Sequence, residues 1–237
     1  MTFSIIFKKI IINSTPLSTL YNSLILKGLK FNNFLAKNCK PSIYRALEKR
    51  VESQVNSIHY KDNPMANIAF LLDTDFEQVE YTKTKQLLEE KGHKTTLITT
   101  QPKKQVQGLN HTDKGDTFTA DLLISEAKAD DYDALVLPGG TVNADALRFN
   151  KEAHAMVKAF DSAKKTVAAI CHAPWIFVDT GLANGKTLTA YETVATDLKN
   201  AGAVFQDKSV VIDGHMITSR KPEDIPDFAN AIDKALS

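Results

Sequence analysis

Cys171-His172 is the dipeptide whose residue types and setting point most directly to covalent chemistry. The apolar run Thr166-Val167-Ala168-Ala169-Ile170 precedes it, and Ala173-Pro174-Trp175 follows. A β-rich run, a polar break and a proline suited to the first helical turn read as strand, sharp turn, helix. Such a turn lifts one side chain above the carboxyl edge of a parallel sheet, where backbone N–H groups and a positive helix end favour an anion. A thiol there is expected to ionise more readily than a free one. The competing reading is a structural cysteine, because free Cys is among the most buried residue types.

Two other stretches could serve that sulfur. Glu77 lies just past an apolar strand, and a carboxyl group held close to a thiolate would have its pKa raised and could share a proton with it. Alternatively, Glu77 is a helix-start glutamate favoured by the dipole. Gly139-Gly140 ends another buried strand, and glycine tolerates dihedrals that turn backbone N–H groups toward a substrate oxygen. A tight turn is the simpler reading. His172 is a candidate base, although adjacent side chains seldom meet in hydrogen-bond geometry, so its orienting partner is expected from elsewhere. Trp175 and Tyr191 read as pocket walls or as core packing. His93, His111, His154 and His215 lack metal-ligand spacing, and no CxxC, HExxH or phosphate-loop pattern occurs. No metal and no cofactor are expected.

The elements that must position these residues lie in the second of two unlike segments. The net charge of +1 over 237 residues hides about +7 in residues 1–64 and about −6 in residues 65–237. Residues 1–64 are basic, with a single glycine, Gly28, and no recognisable chemistry. Four readings stay open for them: a targeting peptide, a helical arm, a membrane-surface amphipath, or sequence upstream of a true start at Met65. Cys39 and Cys171 sit in segments of different character, which argues against a disulfide framework and for a reducing, cytoplasmic setting. No apolar run is long enough to span a bilayer. Residues 65–237 carry no basic stripe, so nucleic acid is not an expected partner.

From Met65 the pattern alternates short apolar strands with amphipathic helices, as a parallel sheet covered on both faces requires. Strands are expected at 68–72, 93–99, 132–137, 166–170 and 187–190, with helices at 78–91, 144–149, 151–163, 192–201 and 222–236. A further helix runs from Cys171 to about Thr180. Residues 101–121 read as a loop or hairpin, and 204, 210–212 and 216–219 as short strands. Reactive groups of an open α/β sheet gather at its carboxyl edge, which would unite Asp73–Glu77, Pro138-Gly139-Gly140 and Cys171-His172.

Four stretches in order, Asp75-Phe76-Glu77-Gln78-Val79-Glu80, Leu135-Val136-Leu137-Pro138-Gly139-Gly140, Ala169-Ile170-Cys171-His172-Ala173-Pro174 and Thr218-Ser219-Arg220-Lys221-Pro222-Glu223-Asp224, resemble the PfpI family. It belongs to the superfamily of the parkinsonism-associated deglycase and contains intracellular proteases and general stress proteins. The resemblance runs from about Ala66 to the C-terminus and implies a flavodoxin-like three-layer α/β sandwich that forms a homodimer or higher homo-oligomer. It implies Cys171 as nucleophile, Glu77 as the carboxyl bonded to it, and Gly140 and Ala173 as oxyanion-hole donors. It also implies Asp145, supplied by a neighbouring subunit, as the acid that orients His172. A histidine after the cysteine favours the hydrolytic, stress-protein branch over the redox-sensor branch. Class I glutamine amidotransferases share the elbow but want Gly where Ala169 stands, and a later His-x-Glu. The implied activity is cysteine-dependent stress protection acting on reactive carbonyls or glycated adducts, or on peptide or amide bonds. The alternative is a non-catalytic holdase or peroxide sensor that uses Cys171.

Overall fold

The computed structural model describes residues 65–237. Cys39 and every reading made of residues 1–64 lie outside the described residues. The described residues belong to one compact unit.

The chain enters through β1 (Asn67–Leu72), makes a brief extended pair β2 (Phe76–Glu77), and turns into α1 (Gln78–Glu89). After β3 (Lys94–Thr99), a hairpin of β4 (Gln105–Asn110) and β5 (Asp113–Thr119) leads to β6 (Leu122–Leu123) and β7 (Ala134–Leu137). Helices α2 (Thr141–Phe149) and α3 (Lys151–Ser162) precede β8 (Thr166–Ile170), which ends at the elbow. Beyond it come α4 (Ile176–Asp179), β9 (Thr187–Leu188), α5 (Ala195–Asn200), β10 (Val204–Phe205), β11 (Val210–Asp213), β12 (Met216–Ser219) and α6 (Ile225–Ala235).

Seven strands form the central sheet in the order β11-β12-β8-β7-β1-β3-β6. All run parallel except β11, which is antiparallel to β12. Strand order therefore reverses between β1 and β7, and crevices open at the carboxyl ends of strands at such a switch. The residue alternation of each strand divides the core into two layers. Ile68, Phe70 and Leu72 pack with Tyr81, Leu88, Phe228 and Ile232 of α1 and α6. Ala69 and Leu71 pack on the opposite face with Leu147, Val157, Phe160 and Phe177 of α2, α3 and α4. In α3 the buried positions Ala153, Met156, Val157 and Phe160 recur at helical spacing, and Asn150 caps its start by accepting the Ala153 N–H at 2.9 Å.

The expected three-layer α/β architecture is present, with shorter elements than periodicity suggests. α1 stops at Glu89 rather than Lys91 because Gly92, at φ +93°, reverses the chain. The Lys91 and His93 N–H groups then close back on the Leu88 carbonyl. Three expected helices begin as 3-10 turns, at Ala173–Trp175, Glu192–Val194 and Pro222–Asp224. Residues 101–121 resolve into the β4–β5 hairpin, which pairs with β2 through Phe76 and Glu77.

Both core layers are built from strands and helices of the described residues. Protein begun at Met65 is accordingly expected to unfold in one cooperative transition, with a midpoint close to that of the whole chain. Calorimetry of the two forms checks this, and a broad or strongly lowered transition in the shorter form would refute it.

Candidate functional site

β8 delivers Cys171 to the sheet edge with φ +63°, a left-handed conformation that costs a non-glycine residue about 1–3 kcal/mol and persists only where neighbours enforce it. The neighbours are hydrogen bonds on both sides of the residue. The Cys171 N–H donates to the Ser219 carbonyl at 3.1 Å, and the Cys171 carbonyl accepts the Tyr191 N–H at 2.8 Å. The residue is only 7% exposed.

Below the sulfur lies a carboxyl group, and it belongs to Glu80 rather than Glu77. Glu80 is fully buried on the first turn of α1; its Oε2 accepts the Gly139 N–H at 2.7 Å, and the carboxyl hydrogen-bonds the Cys171 thiol. Oε1 finds no other partner among the described residues. Glu77 is the last extended residue before α1. Its N–H donates to the Gly139 carbonyl at 3.3 Å, and its Oε2 turns outward to accept the His111 N–H at 3.1 Å. The expected pairing of Glu77 with sulfur is not made: α1 begins at Gln78, as expected, leaving Glu77 in the extended pair with the hairpin, and the carboxyl that reaches the sulfur comes from the first helical turn, three positions further on.

Burial pushes Glu80 up to about 8, with the nearby Glu77 charge acting in the same direction. The Cys171 thiol is also pushed up, first by burial and then by Glu80, against the expectation of easy ionisation. Opposing this, the Gly140 and His172 N–H groups are directed at the sulfur. The two acids therefore share protons: with Glu80 protonated, its O–H can donate to a thiolate that the two N–H groups also hold. Ala173 is buried at the start of the 3-10 turn.

His172 does reach its neighbour, contrary to expectation. The sharp turn brings Nδ1 to 3.2 Å from the Cys171 sulfur. Nε2 lies 3.2 Å from the Thr193 hydroxyl and 3.5 Å from that of Thr141. The imidazole stacks on Tyr191 at 4.9 Å between centroids, and burial lowers its pKa. Trp175 lies 6.3 Å from the imidazole ring, its Nε1 donating to Asp197 at 2.6 Å, and the Arg148 guanidinium covers its face. Asp145 is exposed on α2, one turn beyond Thr141.

Sequence reasoning did not single out three residues that matter here. Glu80 stood inside a quoted motif, and the signal that could have found it was helical register. Asn143, fully buried, donates to the Pro138 and Gly139 carbonyls and accepts the Asp73 N–H, tying the ends of β1 and β7; nothing in the sequence marks it. Thr193 carries no motif at all. Among the described residues, no group of three His, Cys, Asp or Glu side chains could hold a metal ion.

The family model described as the DJ-1/PfpI family matches residues 66–235. This chain belongs to the DJ-1/PfpI family. A Staphylococcus aureus protein whose name assigns it no activity is 41% identical over 171 residues, covering 71% of this chain and 97% of its own. A two-domain structure from Anabaena variabilis, with DJ-1/ThiJ/PfpI-like and ferritin-like domains, is 30% identical with a TM-score of 0.68. It covers 72% of this chain, which spans 48% of that one. Drosophila melanogaster DJ-1beta is 28% identical with a TM-score of 0.67, over 73% of this chain and 90% of its own. The DJ-1/PfpI family includes cysteine-dependent enzymes, proteases and deglycases among them.

A carboxyl whose pKa is raised on folding keeps its proton while the unfolded chain has lost its own, so stability falls as pH rises from the ordinary glutamate range to about 8, then levels off. Glu80→Gln keeps the shape and cannot ionise. Its stability relative to the parent is expected to grow between pH 5 and pH 8 by a few kcal/mol, at about 1.4 kcal/mol for each pH unit between the unfolded and folded titrations of Glu80. Urea unfolding across that range measures the gap; parallel pH dependences would contradict it.

Proposed function

We propose that this DJ-1/PfpI member is a cysteine-dependent stress-protection enzyme, acting on reactive carbonyls or glycated adducts, or on peptide or amide bonds. The observation that carries the reading is the buried Glu80 carboxyl, which holds a proton beside a cysteine at a strained elbow. The Cys171 sulfur attacks an electrophilic carbon, a carbon–sulfur bond forms, and the carbonyl π electrons move to oxygen. Gly140 and Ala173 supply backbone N–H groups to that oxygen. A proton from Glu80, or from His172 after it has taken the thiol proton, completes the adduct. For a dicarbonyl such as methylglyoxal, the hydrogen that leaves sulfur ends on oxygen, giving a hemithioacetal. Trp175 and Tyr191 wall the approach, and a reduced thiol suits a cytoplasmic setting.

One feature supports the alternative of a peroxide sensor. The carboxyl that bonds the Cys171 thiol has a buried Oε1 with no hydrogen-bond partner among the described residues, which can bond an oxygen added to the sulfur. Turnover decides between the two. Full-length protein and its Cys171→Ala variant, assayed on methylglyoxal and on a peptide and amide panel, are expected to differ by loss of all measurable activity in the variant. If both are inactive on every substrate, the enzyme reading fails and the sensor reading takes its place.

A second copy of the chain is part of the same proposal. α2 exposes Val142 (51%) and Phe149 (90%) beside Asp145, an apolar edge suited to self-association that would carry Asp145 toward a neighbour. Phe149→Asp is expected to shift the molecule toward the monomer in light scattering with little change in thermal stability. An unchanged mass would remove α2 from the interface.

A further inference from the structure

His172 as base needs its ring held so that Nδ1 is bare toward the thiol and Nε2 carries the hydrogen. The group that accepts that hydrogen sets the tautomer. Among the described residues no carboxylate oxygen reaches either ring nitrogen; Nε2 faces two hydroxyls, the nearer from Thr193 and the farther from Thr141. We infer that Thr193 is a positioning residue for His172, its hydroxyl holding Nε2 from the same subunit that carries Cys171. The inference rests on the proposed role of His172 as base.

The surroundings are arranged for this geometry. Thr193 sits in the 3-10 turn that follows Tyr191, whose ring stacks on the imidazole and whose N–H is bonded to the Cys171 carbonyl. The loop that orients the ring is thus anchored to the nucleophile's own peptide. The titratable groups around the imidazole are Cys171 at Nδ1, Glu80 beyond the sulfur, the Tyr191 phenol, Glu192 next to Thr193, and Asp145 on α2. Glu192 and Asp145 are exposed and make no hydrogen bond to the ring. In the step itself, the S–H bond breaks and its proton goes to Nδ1, while the Nε2–H stays bonded to the Thr193 oxygen. The imidazolium then returns the proton to the oxygen of the adduct and is neutral again. A hydroxyl offers an imidazolium less stabilisation than a carboxylate would. Burial acts in the same direction, lowering the imidazole's pKa.

The test follows alkylation of Cys171 by iodoacetamide in the full-length chain, from pH 5 to 9, read by peptide mass so that Cys39 does not contribute. Thr193→Val is expected to slow alkylation by about tenfold near neutral pH and to displace the rise of the rate to higher pH. Thr193→Ser is expected to restore the parent profile to within about twofold, which a purely steric role for the side chain would not predict. Slowing in His172→Ala without slowing in Thr193→Val overturns the role of Thr193. An unchanged rate in His172→Ala refutes the base on which the inference stands.

Discussion

The site depends on a missing side chain. A Cβ on Gly139 would fall 2.7 Å from the Cys171 Cβ, from Glu80 Oε2 and from the Ile170 carbonyl, closer than real Cβ atoms approach. Only glycine lets the ends of β7 and β8 and the start of α1 converge within one hydrogen-bond length. The same residue then serves all three through its backbone: its N–H holds Glu80, and its carbonyl accepts from Glu77 and Asn143. Gly140 continues the constraint, its φ of +87° placing it against the Glu77 backbone while its N–H turns to the sulfur. Remove the convergence and the sulfur has neither its proton partner nor its donors.

That convergence sets stability against chemistry. A carboxyl, a thiol and an imidazole are taken out of water together, and Cys171 holds a backbone angle that non-glycine residues avoid. The large sandwich core, with Phe70, Phe160, Phe177 and Phe228 fully buried on its two faces, offsets this local cost. What the site gains is control of a proton. Two acids whose ionised forms repel at short range hold their last proton between them, so a thiolate can exist without a free carboxylate beside it. The imidazole, its pKa lowered by burial, completes the site against the sulfur.

The architecture was largely legible because its cause is repetitive. Alternation along β1 and the helical spacing in α3 are each repeated over several residues, and errors at single positions average out. The elbow was legible too, since the apolar run ending in Cys171 and the following Pro174 specify it locally. The site's finer assignments depend on single turns of chain, where nothing averages. Glu77 and Glu80 lie on either side of the start of α1: β2's pairing with the hairpin holds Glu77 extended and turned toward His111, while the first helical turn carries Glu80 to the sulfur. Likewise, the general rule that adjacent side chains diverge fails at Cys171-His172, because the positive φ folds the histidine back over the sulfur. Thr193, twenty-two residues beyond Cys171, meets the imidazole only through tertiary folding, and threonine has no spacing to announce it.

The bond from the Tyr191 N–H to the Cys171 carbonyl has a mechanical consequence. Thermal motion displaces loops relative to a sheet, and a base carried on one piece with its support on another would drift out of line as they moved. Here the stacking ring, the hydroxyl and the nucleophile share one reference point, the peptide of Cys171. Displacement of the 189–193 loop therefore carries the imidazole's support along with the sulfur, and alignment is conserved through motions that would change the shape of the entrance. Breathing at the mouth and registration at the sulfur become separable, so the entrance can change outline while the sulfur, the imidazole and the hydroxyl keep their mutual distances.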